Sequence, residues 1–306
     1  VEITALAPLA PAPKPKPATA LLSKVLDFSC VDGPGSRMVL FFQGCNMDCG
    51  SCHNPQTIGL CNHCGDCVSH CPQDALTLVR GSGQRKALRC DPALCQQCDD
   101  CLPHCPRGGN PAALRFTHSQ MLARISANAL LLDGVTFSGG EATLQRRWIQ
   151  GLCDAMALTP SCRSLTRLLD SNGLLAAEHW PALLQRVDGV MLDIKALDNG
   201  LHRRLTGRSN HQVLASARLL AEANKLEELR WLVIAGCNDT DAEVAALIRL
   251  HRQLQSPVPI RLNGFQHHGV RPEFAETHPP TPASRLDQLD AQLTQAGIEV
   301  RRTGIQ

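Results

Sequence analysis

The chain has 306 residues, 43% of them hydrophobic, and a formal net charge of +2, enough for one sizeable core with a small satellite domain at most. So small a charge leaves no electrostatic footprint for nucleic acid, no polybasic segment suggests a membrane surface, and no apolar run reaches the roughly 18 residues of a spanning helix. The N-terminus lacks a basic region followed by an apolar stretch, so the expectation is a soluble, cytoplasmic protein acting on small ligands or a protein partner.

In chain order, residues 1–21 are rich in Pro, Ala and Lys and predict a disordered, solvated tail. Residues 22–56 hold the apolar strand candidate RMVLFF, followed at once by Cys45, Cys49 and Cys52. Residues 57–112 interrupt the pattern with a different composition. From residue 113 strand-like and helix-period segments alternate: SQMLARISANALL, the strand GVTFS, a helix near Leu144 to Met156, then LTRLLD. A helix around Ala177 to Arg186, the strand GVMLDIK and helical segments through Ala223 follow. LRWLVI, a helix from Asp241 to Leu254, VPIRLN, a helix from Pro282 to Ala296 and a final IEVRR complete the series. Alternation at this spacing predicts an α/β fold with a parallel sheet and helical crossovers. With RMVLFF there are six principal strands, so the expected shape is a partial (β/α)6 barrel, open on one side, with residues at the strand C-termini converging on one face.

Sixteen cysteines in a chain this long point to metal or redox chemistry rather than a disulfide framework. Cys30, Cys90, Cys153, Cys162 and Cys237 are scattered and read as small core residues, with Cys90 a spare thiol five residues ahead of a cysteine run. Residues 57–112 contain C-x2-C-x2-C-x3-C-P at Cys61, Cys64, Cys67, Cys71 and Pro72, and again at Cys95, Cys98, Cys101, Cys105 and Pro106. This is the bacterial two-cluster ferredoxin spacing, in which the fourth cysteine of each run ligates the other run's cluster. It predicts one 4Fe-4S cube on Cys61, Cys64, Cys67 and Cys105, and another on Cys95, Cys98, Cys101 and Cys71. Zinc would want two separated cysteine pairs instead.

Cys45, Cys49 and Cys52 supply three thiolates where a cube has four irons, leaving one iron open to a substrate, by the logic that separates open from closed metal sites. C-x3-C-x2-C is the signature of the radical S-adenosylmethionine (SAM) superfamily. DGPGSR at Asp32 to Arg37, CHNP at Cys52 to Pro55, SGGEA at Ser138 to Ala142, DSNG at Asp170 to Gly173 and MLDIK at Met191 to Lys195 extend the likeness. Together they resemble the activating enzymes of glycyl radical enzymes, the family of pyruvate formate-lyase activase, and among them the longer YjjW type with a two-cluster ferredoxin insert. The resemblance spans nearly the whole chain after residue 22.

That resemblance implies a radical SAM oxidoreductase. SAM chelates the open iron through its methionyl amine and carboxylate, the reduced cluster passes one electron to the sulfonium, and a 5'-deoxyadenosyl radical abstracts a glycine α-hydrogen from a partner enzyme. Cys45, Cys49, Cys52 and Lys195 would be the catalytic set, with Lys195 meeting the SAM carboxylate. The SAM contacts implied are Ser51, Cys52, His53, Gly139, Gly140, Glu141, Asp193, Ile194, Lys195, Gln266 and His267. Gly139 and Gly140 let backbone approach the ligand closely, and Glu141 shapes the turn. Asp170, Ser171, the Met191 carbonyl and Asp193 would hold a monovalent cation, while Asp193 with Lys195 also reads as a plain ion pair. Arg230 is a further polar candidate, and DGPGSR is expected to line the substrate cleft or to form an ordinary turn. Three 4Fe-4S clusters, SAM and a cation are the cofactors expected. The partners expected are a glycyl radical enzyme and, as electron donor, a reduced ferredoxin or flavodoxin.

Two positions depart from the family pattern: Ser51 stands where an aromatic residue often lies beside the adenine, and Gln266 stands at the usual ribose-contacting histidine. Two other classes stay open, a radical SAM enzyme acting on a small molecule or another peptide site, and a ferredoxin-like electron carrier with a degenerate barrel.

Overall fold

The structure is a computed structural model that describes residues 18–80 and 86–302. A strand β1 (Thr19–Ser29) runs antiparallel to β2 (Arg37–Phe42), and a hairpin of β3 (Leu76–Arg80) and β4 (Lys86–Cys90) stands apart as its own small sheet. After β5 (Leu114–Thr117) come α1 (His118–Asn128), β6 (Gly134–Gly139), α2 (Arg146–Leu158), β7 (Thr166–Ser171), α3 (Trp180–Leu184) and β8 (Gly189–Ile194). The chain continues through α4 (Asn199–Thr206), α5 (His211–Glu222), β9 (Leu226–Val233), α6 (Asp241–Leu254), β10 (Ile260–Gly264), α7 (Pro272–Ala275), α8 (Ala283–Gln295) and β11 (Val300–Arg302).

Nine strands form one sheet in the order β11-β10-β9-β8-β7-β6-β2-β1-β5. From β2 through β11 neighbours are parallel, as helical crossovers require, and the two ends of the sheet do not meet. The six expected strands are all present. Strands covered on both faces should read as continuous apolar runs, and RMVLFF is buried along its whole length except at the half-buried Phe41. Helix starts are written in local chemistry: Thr117 and Gln120 form a reciprocal capping box on α1, and the Asp198 and Thr240 side chains cap α4 and α6.

The disordered tail was expected to reach residue 21. Residues 1–17 lie outside the described residues, but Thr19–Leu21 already belong to β1 and pair with Arg115, Phe116 and Thr117. Ala20 and Leu22 are fully buried; their alternation with the more exposed Thr19, Leu21 and Ser23 makes a half-buried strand between β2 and β5 that the Pro and Lys content upstream had masked. Of the scattered cysteines, Cys153 and Cys162 are core residues as expected, whereas Cys30 is exposed and Cys90 and Cys237 are only half buried.

DGPGSR ends in an arginine that is 0% exposed. Arg37 donates to Thr136 Oγ1 at 2.7 Å, Thr166 Oγ1 at 2.9 Å and the carbonyls of Val135, Thr166 and Pro34, tying the N-terminal ends of β2, β6 and β7 together. Gly35 has φ +73°, and a Cβ there would sit 2.4 Å from the Asp133 carboxylate. The turn is therefore structural at its Arg37 end, while Asp32 lines a large cleft.

Candidate functional site

Three cysteines follow β2 at the sheet's C-terminal end, in a loop seated by backbone. Gly44 N–H donates to the Thr57 carbonyl at 2.7 Å, Cys45 N–H to Ile58 at 3.1 Å, and the Asp48 and Gly50 N–H groups to the last turn of α4. The buried Gln43 amide closes the loop by donating to the carbonyls of Gln56 and Gly59 at 2.7 and 2.6 Å. Arg208 Nε donates to the Asn46 carbonyl at 2.7 Å, and Arg271 pairs with Asp48. The Met47 N–H points at Cys45 Sγ at 3.4 Å, the kind of N–H···S contact that tunes cluster sulfurs.

Burial pushes the Cys45 thiol up to about 11 and the Cys49 thiol up to about 12, and raises Cys52 as well, against the lowering pull of Lys195 on all three. Among the described residues no three His, Cys, Asp or Glu side chains close on a single ion.

One inner face of the sheet carries a ladder of charge. Parallel register sets Asp170 beside Met191, Asp193 beside Arg230, and Arg230 beside Arg261. Ser138 Oγ donates to Asp170 Oδ2 at 2.8 Å, Arg230 meets the same oxygen at 3.2 Å and Glu228 at 2.6 Å, and Arg261 holds Glu228 at 2.9 Å. Burial raises the Asp170 carboxyl, opposed by Arg230, and its Oδ1 is buried without a partner. A buried orphan acceptor of this kind calls for a ligand or ion. Lys195 Nζ reaches Asp193 at 2.8 Å; burial favours the neutral amine, but Asp193 and the Cys49 and Cys52 thiols outweigh it and raise the pKa, so the ammonium is fixed.

The Gly-Gly-Glu turn is packed tightly onto the cysteine loop. Gly139 has φ +113°, and a Cβ would lie 2.2 Å from Phe42 N; at Gly140 it would lie 2.3 Å from the Gly44 carbonyl. These glycines let β6 close onto the cysteine loop, so their bareness is demanded by the neighbouring strand. Glu141 is 1% exposed and accepts from Thr143, Ser171 Oγ at 3.0 Å and the Asn172 N–H at 2.8 Å. That carboxylate shapes the turn and delivers Asn172, whose amide donates to Asn46 Oδ1 at 2.8 Å and approaches Cys45 Sγ at 3.8 Å.

The remaining expected contacts are divided. His53 packs on Phe265 with its ring neutral through burial and its Nε2 buried and unpartnered. Ser51 and Ile194 are buried. Gln266 is exposed, and His267 Nε2 is engaged with the His278 carbonyl at 2.9 Å. Sequence reasoning missed Asn172, Arg208, Glu228, Arg261, Arg271 and Phe274. The Phe274 ring of α7 lies against Gly50, where a Cβ would come within 2.4 Å, and so sets an aromatic surface next to Ser51. Only the Asn of DSNG carried a local signal; the others act through tertiary contact.

The two cysteine runs of the insert repeat one local conformation. His63 and Gln97, two residues after the first cysteine of each run, both have positive φ, as do Gly65 and Asp99. Ala75 N–H donates to Cys71 Sγ and Gly109 N–H to Cys105 Sγ, both at 3.3 Å, and the imidazoles of His70 and His104 stack with centroids 3.3 Å apart. Burial raises the Cys61, Cys67 and Cys101 thiols; Cys105 is a neighbour of both Cys61 and Cys67, while Cys67, Cys71 and Cys95 are neighbours of Cys101. The fourth cysteine of each run thus lies near members of the other run, and Cys67 and Cys101 bring the two groups together. A cleft of about 1650 Å³ runs from Cys45, His53 and Arg208 to the insert's Cys71, Cys95 and Cys101.

The 4Fe-4S dicluster domain family matches residues 60–108, and the 4Fe-4S single cluster domain family matches residues 31–74. The trans-4-hydroxy-L-proline dehydratase activating enzyme of Clostridioides difficile is 28% identical over 73% of this chain and 77% of its own. The pyruvate formate-lyase-activating enzyme of Streptococcus mutans is 27% identical over 86% and 87%. Among solved structures, a radical SAM methyltransferase from Sphaerobacter thermophilus superposes with a TM-score of 0.51 at 16% identity, over 75% of this chain and 77% of its own, a likeness of fold alone. With the three-cysteine loop, the parallel sheet and the dicluster match on one chain, the protein is similar over most of its length to the activating enzymes of glycyl radical enzymes.

Proposed function

We propose that this chain activates a glycyl radical enzyme, and that its three-cysteine loop, ferredoxin-type insert and charged inner wall each do one part of that work. The observation that carries the reading is the grouping of Cys45, Cys49 and Cys52 with Lys195: three thiols in electrostatic contact with one fixed ammonium at the mouth of a parallel sheet. When bound, the 4Fe-4S cluster and SAM supply reductive cleavage to methionine and a 5'-deoxyadenosyl radical, chemistry that belongs to the cofactor. Cys45, Cys49 and Cys52 would hold three irons, and Lys195 would offer its charge to the SAM carboxylate. Asn172, placed by Glu141, would hydrogen-bond near Cys45, and Phe274 would give the adenine an apolar wall. Asp170 Oδ1, Asp193 and the Met191 carbonyl are the donors a monovalent cation would use, with Ser171 already committed to Glu141.

The insert would carry the second and third clusters on the crossed cysteine sets and relay electrons from a reduced ferredoxin or flavodoxin. The glycine-bearing loop of the partner would enter the cleft, which Asp32, Asn46, His53 and Arg208 line together with Cys45. Residues 57–112 form the insert in this reading and 22–56 with 113–306 the barrel.

Anaerobically reconstituted protein given dithionite and SAM is expected to form 5'-deoxyadenosine, and Cys49→Ala to form none. With a cognate partner enzyme, an EPR doublet of a glycyl radical should appear. Product formation that survives in Cys49→Ala would sink the reading.

A further inference from the structure

Cys90 belongs to neither cysteine run, yet the hairpin delivers it into one. It is the last residue of β4 and pairs with Leu76 of β3. Asp91 N–H donates to the Ala75 carbonyl at 2.8 Å, while Ala75 N–H donates to Cys71 Sγ at 3.3 Å, so Cys90 ends beside the Cys71 thiol. On the other side Cys95 N–H donates to the Asp91 carbonyl at 3.0 Å, folding the start of the second run back over Cys90. Burial, and then the Cys95, Cys101 and Cys71 thiols, raise the Cys90 thiol, which is also within hydrogen-bonding reach of Cys95. Cys90 is half buried, whereas Cys98, the remaining expected ligand of this group, is exposed. Four thiols, those of Cys90, Cys71, Cys95 and Cys101, therefore gather where a cube would offer four irons, with Cys98 of the run at the surface beside them as a fifth candidate.

We propose that Cys90 is a reserve ligand of the cluster assigned to Cys71, Cys95, Cys98 and Cys101, able to take the iron that Cys98 gives up. The inference rests on the two-cluster reading of the insert. The exchange breaks the iron bond to Cys98 Sγ, which takes up a proton, and forms one to Cys90 Sγ, which releases one, so the cluster's electron count does not change. The exposed Cys98 is the ligand most open to solvent and oxidants, and a neighbouring thiol keeps the cube from losing an iron there. A side chain brought in by a hairpin does this where the motif spacing has no fifth position.

The test uses full-length protein, anaerobically reconstituted with iron and sulfide, read by iron content and by EPR of the reduced clusters. Wild type with three cubes holds about twelve irons, and a value near four would overturn the two-cluster reading itself before any variant is compared. Cys98→Ala and Cys90→Ala should each keep about twelve irons, with a changed EPR signal in Cys98→Ala alone, and the double variant should fall to about eight. In a second readout, Cys90→Ser placed in the Cys98→Ala background should change the EPR signal of that cluster again, because a serine oxygen would replace the sulfur on iron. The proposal is overturned if Cys98→Ala alone loses four irons, if Cys90→Ala alone does, if the double alanine variant keeps all twelve, or if Cys90→Ser leaves the Cys98→Ala signal unchanged.

Discussion

The barrel and the insert hold their cysteines by opposite means. The barrel buries a continuous apolar core from Ala20 to Ile298, and Cys45 and Cys49 pack against its edge. In residues 57–112 the buried apolar side chains among the described residues are Cys67, Ala75 and Leu76, far too few to offset the chain entropy of some fifty residues. The barrel is a scaffold that exists before its iron. The insert is a chain that needs iron as its core, as small metal-bound domains do.

Removing iron should break this symmetry most. After chelation under reducing conditions, hydrogen exchange of residues 57–112 should rise to that of an unstructured chain while β6 to β10 stay protected. Equal protection of both regions would mean that the insert has an apolar core of its own.

Within the barrel the next largest effect should come from Arg37→Met. Five hydrogen bonds that tie β2, β6 and β7 are lost, leaving buried carbonyls and hydroxyls unpaired, for a destabilisation of roughly 3–5 kcal/mol in chemical denaturation. Gly139→Ala combines a positive φ with a Cβ set on the Phe42 backbone and should cost about 2–4 kcal/mol. It should also misplace the cysteine loop, so that reconstituted iron falls in the SAM cluster and not in the insert.

The smallest effect is one of pH. Burial would raise the Glu228 carboxyl, but Arg261 and Arg230 outweigh it and hold it below the usual carboxylate range. A depressed carboxylate contributes stability that is present above its unfolded pKa of about 4.3 and is lost as pH falls through the folded value. Glu228→Gln should therefore be less stable than wild type at pH 7, with the gap narrowing as the pH drops below about 4. A gap that does not depend on pH would show that Glu228 acts by shape alone.

Much of this was readable in advance because its causes are local. RMVLFF is a strand buried on both faces and says so in six consecutive residues. The cysteine runs repeat a spacing that wraps a cube, and their backbone repeats the same left-handed turns at His63 and Gln97. Glu141 was read as a turn-shaping residue and is one, since its partners Thr143, Ser171 and Asn172 lie in two motifs that were both visible.

What escaped depended on distant segments meeting. The glycines of SGGEA were read toward a ligand, and the β2 loop adds a second demand, since its backbone leaves no room for their side chains. Arg230 was a lone candidate until the other strands set Asp170 and Arg261 around its same-strand pair with Glu228. Phe274 faces Gly50 across more than two hundred residues, and no periodicity joins them. The chain by itself therefore determined the kind of chemistry, through residue types and spacings that only iron and SAM require. The tertiary structure decided which neighbours serve that chemistry, because parallel register, hairpin closure and burial are set by contacts between segments and leave no trace within either one.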